Sequence, residues 1–342
     1  MNYQNFHRIF LALFLIAVLH EIAPAQQLSV AKHAPKPLYR DPVYDGAADP
    51  AVIWNRRERK WFMFYTNRRA KDTAIGGVAW VHGTRIGIAE SVDRGATWTY
   101  RDTANIGYRP DSGYTFWAPE IINFRGLYHM FLTYVPGVFN DWNHPRLIIH
   151  LTSKNLLNWK YDATLKLVND RVIDPCVIRL PDGKWRIWYN NESDHKSIYF
   201  ADSPDLFHWT AVGKAVSDEP GEGPKVFKWK SKYWLITDIW KGLAVYNSDD
   251  LVNWVRQKNN LLGIPGKGKD DGVIGGHCDV VVSANNKAYL FYFTHPGRRK
   301  DLAQNSIYER QRSSIQVTEL FENNGGLTCD RNSSPLINLI AR

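Results

Sequence analysis

The sequence predicts an all-β fold, a five-bladed β-propeller with four antiparallel strands per blade, and three observations carry that prediction. One unit recurs five times, starting at Asp49-Pro-Ala-Val-Ile-Trp, Ala118-Pro-Glu-Ile-Ile, Asp174-Pro-Cys-Val-Ile, Gly223-Pro-Lys-Val-Phe and His277-Cys-Asp-Val-Val-Val, with Glu222 just before the fourth. Self-similarity at a period of about 20–50 residues is the mark of propellers and solenoids. Inside each copy the apolar period is two, and turn residues fall every eight to twelve positions or so, which argues for short antiparallel strands. A second motif keeps the same register: Ser153-Lys-Asn-Leu-Leu-Asn-Trp159, Ser203-Pro-Asp-Leu-Phe-His-Trp209 and Ser248-Asp-Asp-Leu-Val-Asn-Trp254.

The elements follow in order. Residues 1–25 read as a secretory signal, with Arg8 in a polar start, an apolar run over 9–19 and Ala23-Pro-Ala25 as a cleavage site. That run is too short to span a bilayer, so the mature chain is expected outside any membrane, secreted or periplasmic. Residues 26–40 read as a linker, 41–320 as the propeller and 321–342 as a tail closing or covering the last blade. Copy one places strands at 51–54, 61–66, 85–90 and 97–101; copy three at 176–180, 184–189, 197–202 and 209–212; copy four at 225–229, 233–237, 243–247 and 254–257. Four strands per copy make a blade. The Trp that ends each Ser-x-x-Leu-x-x-Trp turn is expected to wedge against the next blade. Copy one carries a variant, Ser91-Val-Asp93-Arg-Gly95-Ala-Thr97-Trp98, which resembles the Asp-box turn of sialidase-type propellers and supplies a rival fold.

With 14 Trp and 17 Tyr but 3 Met, the chain has the rings that packed sheets and a flat ligand both use. Cys176, Cys278 and Cys329 are odd in number and lack metal-ligand spacing, so they read as packed thiols. The net charge of +9 suits a polyanion. Its basic residues are scattered, with short clusters at Arg56-Arg57, Arg68-Arg69 and Arg298-Arg299-Lys300 and no nucleic-acid-binding motif. Nucleic acid is therefore not expected as a partner, and a basic surface suited to acidic polysaccharide is.

Strand direction puts the starts of the first strands and the loops after the second strands on one face. Those loops, 67–84, 135–146, 190–196, 238–242 and 294–313, are the long ones, as at a binding face on a regular scaffold. Asp49, Asp174 and Glu222 start the first strands of copies one, three and four, so they should face one another across the mouth. Hydrolysis of a glycosidic bond needs one carboxylic acid and one carboxylate, and crowding separates their proton affinities. Pro50 and Pro175 are expected to confine Asp49 and Asp174 to extended backbone, whereas Pro224 comes one place later and should aim Glu222 differently.

These residues carry a resemblance. Ala48-Asp49-Pro50-Ala51-Val52, Trp117-Ala118-Pro119-Glu120, Val172-Ile173-Asp174-Pro175, Glu222-Gly223-Pro224 and Gly275-Gly276-His277 resemble, in order and spacing, the family 43 glycoside hydrolases, five-bladed propellers that cleave arabinofuranosides and xylosides with inversion. The resemblance covers about 41 to 320. It implies Asp49 as general base, Asp174 as the acid that tunes and orients the proton donor, and Glu222 as general acid. It also implies no required cofactor, with a hydrated calcium ion bordered by His277; the residue pattern alone reads His277 equally as a packed core histidine. Glu120 stands where the family usually has Asp, and Asp279 is an extra acid near the axis.

Asn67, Arg68, Asn190, Asp238, His295 and Arg298 end second strands or open their loops and are expected to line the pocket, with Glu120. Phe116, Trp117 and Trp240 are candidates for stacking on a sugar, and Arg298 for gripping hydroxyls or an acidic substituent bidentately. Long loops in copies one, two and five favour a pocket closed at one end, hence exo action. Two alternatives stand: a sialidase-like hydrolase, which needs three Arg and a Tyr nucleophile, and a sugar-binding propeller without turnover. The oligomeric state is not readable.

Overall fold

The computed structural model describes residues 31–109, 113–299, 301 and 306–341; the expected signal segment lies outside them. Five antiparallel four-stranded sheets follow one another along the chain. Blade 1 is Ala47–Asn55, Lys60–Asn67, Arg85–Ser91 and Thr99–Thr103. Blade 2 is Thr115–Phe124, Leu127–Val135, Leu147–Ser153 and Asn158–Thr164, with Asn105–Gly107 added in parallel at its edge. Blade 3 is Val172–Arg179, Trp185–Asn191, Ser197–Ser203 and Thr210–Val216. Blade 4 is Glu222–Trp229, Lys232–Asp238, Leu243–Ser248 and Val255–Arg256, and blade 5 is Gly276–Val282, Ala288–Thr294, Ser314–Asn323 and Gly326–Cys329. The five-bladed all-β propeller expected from the repeats is the fold.

The boundaries differ from those expected. The last blade's third strand crosses 320, and its fourth lies wholly in the expected tail. Lys32–His33 pairs with Leu336–Ile337, and Leu38, Tyr39, Ile337 and Leu339 are buried with Trp61, Met63, Phe291 and Ile315 in the seam between blades 1 and 5. Residues 31–40 are thus part of the packed fold, because this seam needs apolar cover from both chain ends.

The Ser-x-x-Leu-x-x-Trp turns repeat in detail. Ser153, Ser203 and Ser248 accept at Oγ from the amides of Leu156, Leu206 and Leu251, each at 2.9 Å, which holds those leucines in the left-handed region. Each turn then presents its Trp edge to a ring of the preceding blade: Trp159 to Phe64, Trp209 to Phe131, Trp254 to Trp188 and, from the Asp-box variant, Trp98 to Phe291. The wedge meets the preceding blade around the ring, which for blade 1 is blade 5, and not the next blade as expected. Each such pair is worth about 0.5–1.5 kcal/mol beyond its buried area.

What positions the site is a bulge. Every inner strand carries one extra residue near its start, between Ala48 and Ala51, Trp117 and Glu120, Ile173 and Cys176, Glu222 and Lys225, and Gly276 and Cys278. Asp49, Ala118, Asp174 and Gly223 adopt positive φ there (52°, 45°, 60° and 57°), so the extended backbone expected before proline does not occur. A bulge re-aims its side chain and bends the strand, and aspartate tolerates the left-handed region better than most residues. Polar side chains from the preceding blade satisfy the backbone so exposed: Thr66 Oγ1 accepts from Ala118 N, Thr133 Oγ1 from Asp174 N, and Asp238 Oδ2 from His277 N, at 2.8–3.0 Å, while Asn190 Nδ2 donates to Gly221 O.

Candidate active site

One cavity of about 1710 Å³ opens on the face of the long loops, and Asp49, Asp174 and Glu222 all line it. The His277 ring stands between the two aspartates, its Nδ1 at 3.6 Å from Asp49 Oδ1 and 3.9 Å from Asp174 Oδ2; those oxygens are therefore no further apart than the two contacts together. Asp49 is nearly sealed from solvent, and Arg68 Nη2 reaches both its oxygens, at 3.0 and 3.2 Å. Arg68 Nη1 meets His295 Nε2 at 3.0 Å, and His295 Nδ1 meets Arg312 O at 3.0 Å. A carbonyl can only accept, so His295 donates from Nδ1 and accepts at Nε2. Burial, with Arg298 and Arg68 alongside, holds that imidazole neutral, well below the usual range.

Asp174 Oδ2 accepts from Gly223 N at 3.0 Å, which fixes the peptide that follows Glu222. Glu222 itself is half-buried, paired across the sheet with Asp238. Burial, then the charges of Asp174, Asp238 and Asp49, push its carboxyl up to about 8. Burial raises Asp174 too, against the pull of His277, and takes Asp238 up to about 6 against the amides of Trp240 and His277. Gly223 is required here: a Cβ would lie 2.6 Å from His277 Cγ on a backbone with φ of +57°.

Of the expected contact residues, Arg68, Trp117, Asp238, Trp240, His295 and Arg298 line the cavity. Asn67, Phe116, Glu120 and Asn190 do not. Successive strand residues face opposite ways, so when Arg68 and Trp117 face the cavity, their neighbours Asn67 and Phe116 turn into the protein; Phe116 is fully buried among the rings of the blade 1–2 core. Asn190 is fully buried and spent on the Gly221 carbonyl. Glu120 lies past its bulge, one level down the axis, where Lys225 Nζ joins it at 2.9 Å and Asp279 Oδ1 at 2.8 Å. Burial disfavours that ammonium, but Asp279 and Glu120 outweigh it and hold Lys225 well above the usual lysine range. Asp279 also accepts from Val52 N at 2.6 Å and Glu120 from Val177 N at 3.3 Å, so this level ties all five inner strands together.

The calcium ion implied at His277 does not fit these side chains. Nδ1 faces the two aspartates, and the level beneath is closed by an ammonium that would repel a second cation. Among the described residues no group of three or more His, Cys, Asp or Glu is arranged to hold a metal. The three cysteines are free thiols, two of them buried.

The sequence reading missed Trp80, Trp142, Arg146, Glu192 and Lys196, all of which line the cavity. Trp142 stands against Trp117 with ring centres 6.2 Å apart, Arg146 lies 5.6 Å over Trp117 and pairs with Glu192, and Lys196 Nζ sits 5.3 Å over Trp240. Four of the five lie in the long loops flagged for this face, and Arg146 closes one; loop length shows where a wall is, not which residues form it.

No protein-family sequence model and no curated protein matches the chain. Solved structures do. A thermostable family-43 glycoside hydrolase superposes with a TM-score of 0.62 at 20% identity, over 89% of this chain and 100% of that one. The chain has the family-43 glycoside hydrolase fold. A family-43 β-xylosidase/α-arabinofuranosidase from a compost microbial metagenome, solved with xylotriose in a calcium-free form, gives 0.62 at 18% identity over 88% and 97% of the two chains. A family-43 enzyme of Xanthomonas citri solved with xylose gives 0.60 at 13% identity over 87% and 93%.

Proposed function

We propose that this chain is a glycoside hydrolase that removes a terminal sugar of α-L-arabinofuranoside or β-xyloside type from plant-type polysaccharide in one inverting displacement. The observation that carries the reading is one cavity lined by two carboxyl groups in different surroundings: Glu222, pushed up to about 8, and Asp49, both of whose oxygens are held by Arg68 Nη2. Glu222 donates its proton to the leaving oxygen as that bond breaks. Asp49 takes a proton from water attacking the opposite face of the sugar, and Arg68 holds its oxygens in place. Asp174 grips the Gly223 amide and so fixes the donor's aim. His277 spaces the two aspartates.

Several features support this substrate class. Trp80, Trp117, Trp142 and Trp240 supply flat walls for a pyranose or furanose face, and the structural neighbours include enzymes solved with xylose and xylotriose. Loops from blades 1, 2 and 5 wall the cavity, in keeping with exo action. No tyrosine lines it among the described residues, so the nucleophile of a sialidase-like reaction has no candidate. Export after loss of residues 1–25 completes the reading, placing the enzyme with polymers too large to enter a cell.

The test is hydrolysis of nitrophenyl α-L-arabinofuranoside, β-xyloside and β-galactofuranoside, with the first product anomer followed by NMR. Release of an inverted sugar is expected. Retention would remove the single-displacement mechanism, and binding without cleavage across the panel would leave a sugar-binding propeller.

A further inference from the structure

Charge on the cavity wall is not balanced. Outside the catalytic floor its carboxylates are taken: Asp270 by Arg312 at 3.0 Å, Asp301 by Arg299, and Glu192 by Arg146 and Lys196. Three cations on the blade 5 side have no carboxylate partner among the described residues: Arg298, Lys267 and Lys269. Arg298 is anchored and not loose. It ends the turn Pro296–Arg298, which packs so closely on the short helix Ile307–Gln311 that a Cβ on Gly297 would overlap the Glu309 carbonyl. Its Nε donates to Arg310 O at 3.0 Å and its guanidinium lies 5.8 Å over the Trp80 ring, which leaves the two terminal nitrogens for the cavity. The loop bearing the lysines is tied to the same blade, through Gln316 to Lys269 O at 3.2 Å and Thr294 to Asp270 O at 2.7 Å.

We propose that Arg298, with Lys267 and Lys269, forms a subsite for an anionic substituent, carboxylate or sulfate ester, on the saccharide that occupies the cavity. This rests on the reading above that the cavity takes a saccharide, and it names the class. Sugar hydroxyls alone do not account for the arrangement. Arg298 is exposed to the cavity beside Arg68, and the loss of hydration there, followed by that like charge, draws it down to about 10; a neutral ligand would leave this repulsion in place, whereas an anion relieves it. A planar guanidinium held at Nε presents its remaining donors as a fork that matches a carboxylate. The chain's +9 charge would add long-range attraction for an acidic glycan.

The test is calorimetric binding at low salt in Glu222→Gln, whose turnover is expected to be about 10²–10⁴ slower. The ligands are a xylo-oligosaccharide with a glucuronic acid branch, its methyl ester and a sulfated xylo-oligosaccharide. The acid is expected to bind about tenfold tighter than the ester, the scale of one charge-assisted hydrogen-bonded contact. Adding Arg298→Gln should cut that preference to below about threefold, and so, less completely, should Lys267→Gln with Lys269→Gln, both exposed positions whose replacement does not threaten folding. Preference for the sulfated ligand over the acid would support the subsite and identify sulfate as its anion. Equal binding of acid and ester, or a preference untouched by Arg298→Gln, would overturn the subsite alone. Absence of all saccharide binding would end the functional reading with it, and a lasting acid preference in a chain that cleaves nothing would end only the hydrolase reading.

Discussion

Glu222→Gln separates proton donation from every other contribution of the site. With its carboxyl pushed up to about 8, roughly nine in ten copies of Glu222 carry the proton at pH 7. Glutamine keeps the shape and loses that proton. On xylobiose, whose leaving oxygen must be protonated, kcat is expected to fall by about 10²–10⁴. On a nitrophenyl xyloside the leaving group departs as a stable anion, so the loss should be at least about tenfold smaller. The wild-type rate should fall above about pH 8, and this limb should vanish in the variant. Stability gives an independent sign. Folding raises the carboxyl above the usual glutamate range, so its contribution is fully present below that range and is lost as pH rises through about 8. The variant should therefore melt higher than wild type at pH 9, and the gap should close at pH 4. Full turnover of xylobiose by Glu222→Gln, or persistence of its alkaline limb, would refute the assignment.

Asp49→Asn should lower hydrolysis of both substrates by the same factor, because the attacking water needs its base whatever the leaving group; equal fold-losses in kcat on the two substrates check it. Gly223→Ala places a Cβ 2.6 Å from the His277 ring at positive φ. Left-handed strain alone costs about 1–2 kcal/mol, and kcat should fall more than KM rises as Glu222 loses its aim. Lys225→Met leaves Glu120 and Asp279 buried without their partner, a change expected to cost about 3–5 kcal/mol in urea unfolding. Dialysis against EDTA should leave both kcat and Tm unchanged, since the cation on the axis is the Lys225 ammonium; a drop in either would show that a metal had been removed.

The fold was legible because one register repeats five times, and a blade's period of two survives in every copy. The three acids were legible for the same reason: each stands at a strand start, and ring closure brings strand starts together. The pocket contacts were half legible. At Asn67-Arg68 and Phe116-Trp117 the sequence places two candidates side by side, and strand alternation allows only one to face the cavity. Which one does depends on the facing of the strand at that point, and for Phe116-Trp117 a bulge follows at once; an extra residue leaves no mark in a hydrophobic pattern. Glu120 was misplaced by the same device, since three positions along a bulged strand amount to one level down the axis. Lys225 was invisible as a partner because its two carboxylates come from other blades, Asp279 from the next repeat and Glu120 from two repeats back.

The two levels of the axis depend on each other. Below, Lys225, Glu120 and Asp279 form a closed set of charges that reaches the amides of Val52 and Val177, so all five inner strands are held at one height before any catalytic group is placed. Above, the same bulge turns Asp49 and Asp174 inward, and a third aspartate in that register would stand at Gly223, where even a single carbon meets His277. Glycine there, with a longer acid one residue earlier, removes the collision and lets the third carboxyl come from the cavity side, close enough to feel both aspartates without sharing their partners. Three equivalent aspartates would have similar surroundings and similar proton affinities. It is the break in the repeat at Glu222-Gly223 that sets a carboxyl pushed up to about 8 beside one paired with Arg68, and so gives a symmetric scaffold the unlike carboxyl groups that the proposed acid and base roles require.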